Sequence, residues 1–338
     1  MDKQIPIKNI YYMLCYSWDA LQEKELVSID TTEFKNLLDL FAKVLAGGLE
    51  YLIKRGFDRQ YIEAQEEIAL VRGKINVSNS IKRMSFVKGR LACQFDELSY
   101  NVLQNQIIKT IVDKLVKHGS IDPKVRQELK EVSRYLREID QIPLNMKLFG
   151  MVHIHRNNHY YRFLLNICEI IYANLLADEK YGRKRFKDFL RDEDKMADLF
   201  EKFVRNFYKR ELSGCSVSSE LIKWDAEIAD EYLPVMKTDI SIISKGRKLI
   251  IDTKYYKEAF SYRMNSKKLR SENLYQIFAY LKNSGQNCEG IILYPTVEEN
   301  FTHTYVIQGH KITARSINLN QEWYQIQDDL LAIVEESI

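Results

Sequence analysis

The stretch Lys237–Lys254, KTDISIISKGRKLIIDTK, constrains this chain more tightly than any other. Met236 to Ile243 and Lys248 to Tyr255 are rich in β-branched residues, and Ser244-Lys245-Gly246-Arg247 between them has turn chemistry, so the stretch predicts a β-hairpin. Side chains alternate along a strand, which puts Asp252 and Lys254 on one face with Asp239 of the preceding strand beside them. Three charged groups then meet at a sheet edge, at the end of the apolar run Leu249-Ile250-Ile251. Carboxylates placed there lose hydration and repel each other. A divalent cation removes that cost. Hard oxygen ligands favour Mg²⁺ or Mn²⁺, which polarises a phosphodiester, and Lys254 is placed to orient or help deprotonate an attacking water. The competing reading is a surface hairpin whose Asp252 and Lys254 simply pair in solvent.

With 338 residues the chain is long enough for two domains of ordinary size. A net charge of +3 is too small to imply a nucleic-acid partner, so any polyanion site must come from local clusters. The five cysteines are scattered and lack C-x-x-C spacing, which argues against a disulfide framework and against a thiolate zinc site. A cytoplasmic protein is expected. No window approaches a membrane span, and the polar N-terminus carries no signal-like apolar stretch.

A domain boundary is expected near residue 150, giving units 1–150 and 151–338, because Gln141 to Asn158 has little periodicity and contains Ile142-Pro143. Ahead of it, Ile5 to Leu21, Thr32 to Arg55, Asn101 to His118 and a segment opening at Asp122-Pro123 read as helices. Tyr61 to Phe95 reads as short strands, with turns at Arg72-Gly73-Lys74, Ser78-Asn79-Ser80 and Lys88-Gly89-Arg90. Its basic residues, among them Arg72, Lys74, Lys82 and Arg83, form either a solvated hairpin face or a projection that docks on a partner. His153, His155 and His159 have H-x-H spacing but no carboxylate or cysteine cluster nearby to complete a metal site.

Beyond the boundary, Tyr160 to Leu176 reads as a buried helix. Arg183, Lys184 and Arg185 follow in a basic loop interleaved with aromatics, suited to phosphate contact or simply solvated. The helix Asp194 to Leu212 has an apolar stripe through Met196, Phe200 and Phe207. Glu201 sits beside it, either as an ordinary boundary residue or reaching the cation of Asp239 and Asp252. After the hairpin comes a basic loop, Lys257 to Arg270, containing Arg263, Lys267 and Lys268. A helix from Glu272 to Lys282 then places Gln276 and Tyr280 one turn apart, and Gly290 to Tyr294 reads as a buried strand. The order helix, strand, hairpin, helix, strand makes the C-terminal half an α/β unit behind an α+β N-terminal domain.

A carboxylate, a turn, D-x-K on the next strand and a helix bearing Gln together resemble the PD-(D/E)XK nuclease core of restriction endonucleases, with its mixed central sheet. Here the pattern is Thr238-Asp239, then Asp252-Thr253-Lys254, with Pro234 displaced from the first carboxylate. Further segments resemble the McrC family, the nuclease subunits of McrBC modification-dependent restriction systems. They are Ile5 to Leu14 with Trp18-Asp19, Arg72 to Ile75, Phe95 to Lys109, Asn158 to Tyr161, Lys223-Trp224-Asp225, Asp252 to Lys257, and Asn273-Leu274-Tyr275-Gln276. The resemblance implies an Mg²⁺-dependent endonuclease with Asp239, Asp252 and Lys254 as its triad. Read from the residues, the Thr253 carbonyl would join the two acids on the cation, Gln276 is placed to hold a water or phosphate above the hairpin, and Glu201, a position that need not be acidic in the family, is a looser candidate ligand. It implies a hexameric AAA+ GTPase partner of the McrB type that binds GTP and reads 5-methylcytosine in double-stranded DNA. The N-terminal half would dock on that hexamer and stimulate it, with Arg72 to Arg90 as the candidate projection. This chain has no G-x-x-x-x-G-K-[ST], so the GTPase must be a separate protein. A GTPase-activating adaptor without catalysis and a stand-alone nuclease of the same fold are the rival expectations.

Overall fold

The computed structural model describes residues 5–19, 34, 36–155, 158, 160–179, 192–228, 230–256, 260–263, 266–285 and 287–338. Two compact units emerge. One comprises Met1–Glu25, Ile29–Thr32 and Asp188–Ile338, and the other Leu26–Ser28 and Glu33–Lys187. This division differs from a single cut near residue 150. The first helix, α1 (Ile7–Ser17), groups with the C-terminal half of the chain, and residues 151–187 group with the N-terminal half.

The second unit is a helical bundle carrying a β-ribbon. Helix α2 (Leu37–Arg55) starts where the Asn36 side chain accepts from Asp39 N at 2.9 Å and stops at Gly56, whose φ of 97° suits only glycine well. Strands β1 (Gln60–Ile68), β2 (Lys74–Ile75) and β3 (Leu91–Ser99) pair antiparallel in the order β1-β3-β2, with α3 (Val77–Lys82) between β2 and β3. The Ser78-Asn79-Ser80 segment, expected as a turn, is therefore helical, because the Asn76 side chain caps Asn79 N at 3.0 Å. Helix α4 (Leu103–Lys117) follows, then α5 (Pro123–Ser133) with Asp122 as its cap, the short α6 (Met146–Gly150) and α7 (Tyr160–Glu179). Helices α2 and α7 cross closely at Gly48, where a Cβ would lie 2.4 Å from Leu164 Cδ2.

A polar hub roots the ribbon in the bundle. Asp58, just before β1, accepts from Gln104 at 2.6 Å and from Asn158 at 2.9 Å, while its backbone N–H donates to Tyr161 Oη at 2.9 Å. At the far end of the ribbon the apolar side chains face solvent, with Leu70 and Val87 each 85% exposed and Ile81 and Met84 also open. Patches of this kind on a folded protein mark contact surfaces.

The first unit is built on a six-stranded mixed sheet. Helix α8 (Glu193–Glu211) leads into β4 (Ser216–Ser218), the short pair β5 (Leu221–Ile222) and β6 (Met236–Lys237), and then β7 (Ile240–Ser244) and β8 (Arg247–Thr253). A separate ribbon, β9 (Phe260–Arg263) and β10 (Ser266–Leu269), precedes α9 (Ser271–Lys282), β11 (Cys288–Thr296), β12 (Thr302–Ile307), β13 (His310–Asn318) and α10 (Trp323–Glu335). Strand order is β12-β13-β11-β8-β7-β4, with β8, β11 and β13 mutually parallel. The basic segment expected as a loop before α9 is thus partly a two-stranded antiparallel ribbon.

The predicted hairpin is present. Ser244 pairs with Arg247, and Lys245 and Gly246 take φ values of 48° and 81°, the two positive values that a two-residue turn between twisted strands requires. Its first strand is shorter than expected, however, because Thr238 is stapled: it donates its N–H to Glu220 O at 2.9 Å and shares a 3.0 Å hydrogen bond with Ser241 Oγ. Met236 and Lys237 consequently pair with β5 instead, and Asp239 falls in the bend between the two strands.

Helix α9 covers the sheet so closely that a Cβ on Gly290 of β11 would lie 2.8 Å from Ile277 Cγ1. Helix α1 packs on α8 through Tyr16, whose ring lies 5.8 Å from Phe203 and 5.4 Å from Phe207. Asn9 on α1 donates to Leu319 O at 2.9 Å, tying the start of the chain to the segment after β13.

Candidate active site

The rim at the end of β8 gathers the charges. Asp252 is completely buried, the last charged group on a strand whose preceding Leu249, Ile250 and Ile251 are also buried. Lys254 Nζ stands 2.7 Å from Asp252 Oδ2, an ion-pair distance, and Asp252 Oδ1 is buried with no partner. Asp239 is aimed at the same strand end: its Oδ2 accepts from Thr253 N at 2.8 Å and from Thr253 Oγ1 at 2.9 Å. The bend at Thr238 therefore does for Asp239 what straight strand alternation does for Asp252.

Burial pushes the Asp252 carboxyl up to about 7; Lys254 opposes the shift, and Asp239 and Glu201 add to it. For Lys254, burial disfavours the charge, but Asp252 and Asp239 outweigh it and raise the ammonium above its ordinary value. The lysine is a firm cation beside an acid that resists ionising. Burial and a neighbouring carboxylate set this pair's protonation, the kind of perturbation that clusters at functional sites.

The surrounding shell is ordered. Glu201 on α8 is ion-paired with Arg205 at 2.5 Å, and the same Arg205 Nη1 lies 3.3 Å from Asp239 O. Glu201 is thus close enough to act on Asp252 but already engaged. Among the described residues no group of three His, Cys, Asp or Glu side chains is arranged to hold a metal ion, so any cation would rely on two carboxylates and main-chain or water oxygens. Gln276 Nε2 donates to Tyr280 Oη at 2.7 Å, and Tyr280 Oη donates to Lys237 O at 2.8 Å. Burial raises the Tyr280 phenol, and Asp252 and Asp239 contribute, which places this pair within electrostatic reach of the carboxylates. Tyr256, Asn273, Tyr294 and Arg205 complete the surroundings, and no sequence pattern assigns them a role. The spacing of four between Glu201 and Arg205 on a helix is the one available signal.

Of the residues expected to contact DNA, Arg183, Lys184, Arg185 and Lys257 lie outside the described residues, as does His159 of the H-x-H spacing. Arg263 belongs to β9 and Lys267 and Lys268 to β10, so these three sit on a ribbon leading directly into α9. Arg72, Lys74, Lys82 and Arg83 are all exposed on the β-ribbon of the other unit. Arg72 stacks 4.5 Å from the Phe95 ring centroid, and Arg83 approaches Glu67 at 3.5 Å.

A mixed six-stranded sheet with two acids and a lysine at the end of a central strand, covered by a helix bearing a Gln, is an α/β fold consistent with a nuclease core. The family model of the McrBC 5-methylcytosine restriction system component matches residues 4–295. An Escherichia coli K12 protein, the type IV methyl-directed restriction enzyme EcoKMcrBC, is 36% identical over 340 residues, covering 98% of each chain. The fold is shared with a chain from a tetradecameric assembly of Thermococcus gammatolerans McrB AAA+ hexamers with bound McrC, at a TM-score of 0.63 and 18% identity over 98% of this chain and 76% of that one. The chain belongs to the McrBC restriction-system component family, as its sequence segments implied. No helix among the described residues is long and apolar enough to cross a membrane.

Proposed function

We propose that this chain is the DNA-cutting subunit of a GTP-dependent restriction complex, hydrolysing phosphodiesters with Mg²⁺ at the Asp239–Asp252–Lys254 rim. The observation that carries this reading is Asp252, a fully buried carboxylate whose Oδ2 is met only by Lys254 at 2.7 Å and whose Oδ1 has no partner, with Asp239 aimed at the same strand end. Leaving one buried carboxylate oxygen unsatisfied costs on the order of 1–3 kcal/mol. A hard cation is the ligand that removes the cost, and Asp239, Asp252 and the carbonyl of Thr253 are the oxygens that would hold it. When bound, the cation supplies Lewis-acid stabilisation of the charge developing on the phosphate.

The chain's own groups then have separable roles. Thr253, through its N–H and hydroxyl, fixes one oxygen of Asp239 and so sets that carboxylate's direction. Lys254, held as a cation by its acidic neighbours, orients the attacking water rather than taking its proton. Gln276 is anchored by its amide Nε2 to Tyr280 Oη, which leaves its amide oxygen to act as an acceptor. Arg205 braces the backbone of Asp239 from α8, which favours a bracing role for the Glu201–Arg205 pair over direct ligation.

The partner is proposed to be a hexameric McrB-type GTPase that reads methylated cytosine, engaged through the exposed ribbon of the second unit. The test is reconstitution with that GTPase, GTP and Mg²⁺ on methylated and unmethylated plasmid. Cleavage confined to methylated DNA and dependent on both GTP and Mg²⁺ is expected. GTP turnover without cut DNA would make the chain an adaptor, and cleavage by the chain alone would make it a stand-alone nuclease.

A further inference from the structure

Arg270, the residue from which α9 starts, has no role in the account above. Its guanidinium stacks 4.2 Å from the centroid of the Tyr256 ring, its Nε is buried without a hydrogen-bond partner, and among the described residues it makes no ion pair. Other partly buried cations of this unit are matched: Arg205 with Glu201, Lys248 with Glu220 and Arg315 with Glu336. A partly exposed arginine whose Nε is shut off from water with no anion beside it is the exception here that calls for a ligand.

The stacking partner is itself held in place. Tyr256 Oη donates to Asn273 Oδ1 at 3.3 Å, and Asn273, 2% exposed, donates to Tyr294 Oη at 2.9 Å. Tyr256 follows Lys254 by two residues. Tyr294 lies beyond the Asp252↔Ile292 and Thr253↔Leu293 pairs of the parallel strands β8 and β11. The clamp therefore belongs to the carboxyl ends of these strands, where open α/β sheets bind ligands.

We infer that Arg270 contacts a non-bridging phosphate oxygen of the DNA strand beside the scissile bond, with Tyr256 and Asn273 as the positioning residues that aim it. A planar guanidinium held over a ring that is itself anchored can offer its N–H fork to phosphate with less ordering left to do. This contact rests on the nuclease reading.

The test uses the whole complex with its GTPase partner, measuring cleavage of methylated duplex over a salt series. Arg270→Gln is expected to raise KM for DNA about tenfold with kcat near wild type, and to lower the salt slope by about one, the signature of one lost phosphate contact. Arg270→Lys should keep the slope while losing part of the affinity, and stimulation of GTP hydrolysis should be unchanged in both. An unchanged KM and slope would overturn the inference, as would a loss of kcat at constant slope, which would mean that Arg270 acts only through Tyr256. If the wild-type complex cuts nothing, the nuclease reading itself fails and takes this contact with it.

Discussion

Asp252→Asn is expected to reduce DNA cleavage by on the order of 10³-fold or more while leaving partner binding and GTPase stimulation intact. The side chain keeps its shape but loses the charge that would bind a cation, and it belongs to a different compact unit from the ribbon. The same substitution should stabilise the protein in chelator. Burial raises the Asp252 carboxyl to about 7, against about 3.9 in the unfolded chain. The folded state therefore binds this proton more tightly, and that contribution is fully present below about pH 4 and lost as pH climbs to about 7. Asn does not titrate, so its advantage over wild type should grow between pH 5 and pH 8 and then level. The difference should appear as a Tm rise that grows over this pH range. A cleaving Asp252→Asn variant would remove this residue from the chemistry. A Tm difference independent of pH would mean that Asp252 is not held protonated by its surroundings.

Replacing Arg72, Lys74, Lys82 and Arg83 together with Gln is expected to lower stimulation of the partner's GTP hydrolysis about tenfold or more, most strongly at low salt, where the lost attraction is least screened. These four cations share the ribbon with the exposed Leu70, Ile81, Met84 and Val87, so charge and apolar area belong to one surface. None is buried, and of the four only Arg83 makes an ion pair among the described residues, at 3.5 Å. Folding should therefore be unaffected, and a melting curve of the quadruple variant should overlay wild type. The Lys43–Glu128 pair of the bundle, disrupted in the same way, should leave stimulation alone. Full stimulation by the quadruple variant would move the docking surface away from the ribbon.

The parts legible in the sequence are those fixed by local rules. Lys245-Gly246 between two β-branched runs signals a hairpin because only a few residues tolerate positive φ, and the two-residue period places Asp252 and Lys254 together. Asp122-Pro123 and the stripe on α8 announce helices in the same local way. The hairpin β12–β13 carries the same kind of turn, since Gln308 and Gly309 repeat the positive-φ pair with values of 48° and 83°, but its polar outer strand blurs the alternation. The hidden features are non-local. Nothing within Ile7–Ser17 says that Asn9 will bond to Leu319 O or that Tyr16 will meet Phe203 and Phe207, so α1 could not be assigned to the C-terminal unit. The bend at Thr238 depends on Glu220, eighteen residues upstream. The clamp of Tyr256, Asn273 and Tyr294 is assembled from three elements and carries no spacing signature.

The account turns on a cation shared by Asp239 and Asp252, and the most direct measurement is diffraction from crystals soaked in Mn²⁺, read by its anomalous signal. The expected result is a single strong peak between the two carboxylates, within oxygen-ligand distance of Thr253 O and absent in Asp252→Asn. A protein that takes up no Mn²⁺ at this rim while its complex still cuts methylated DNA would contradict it.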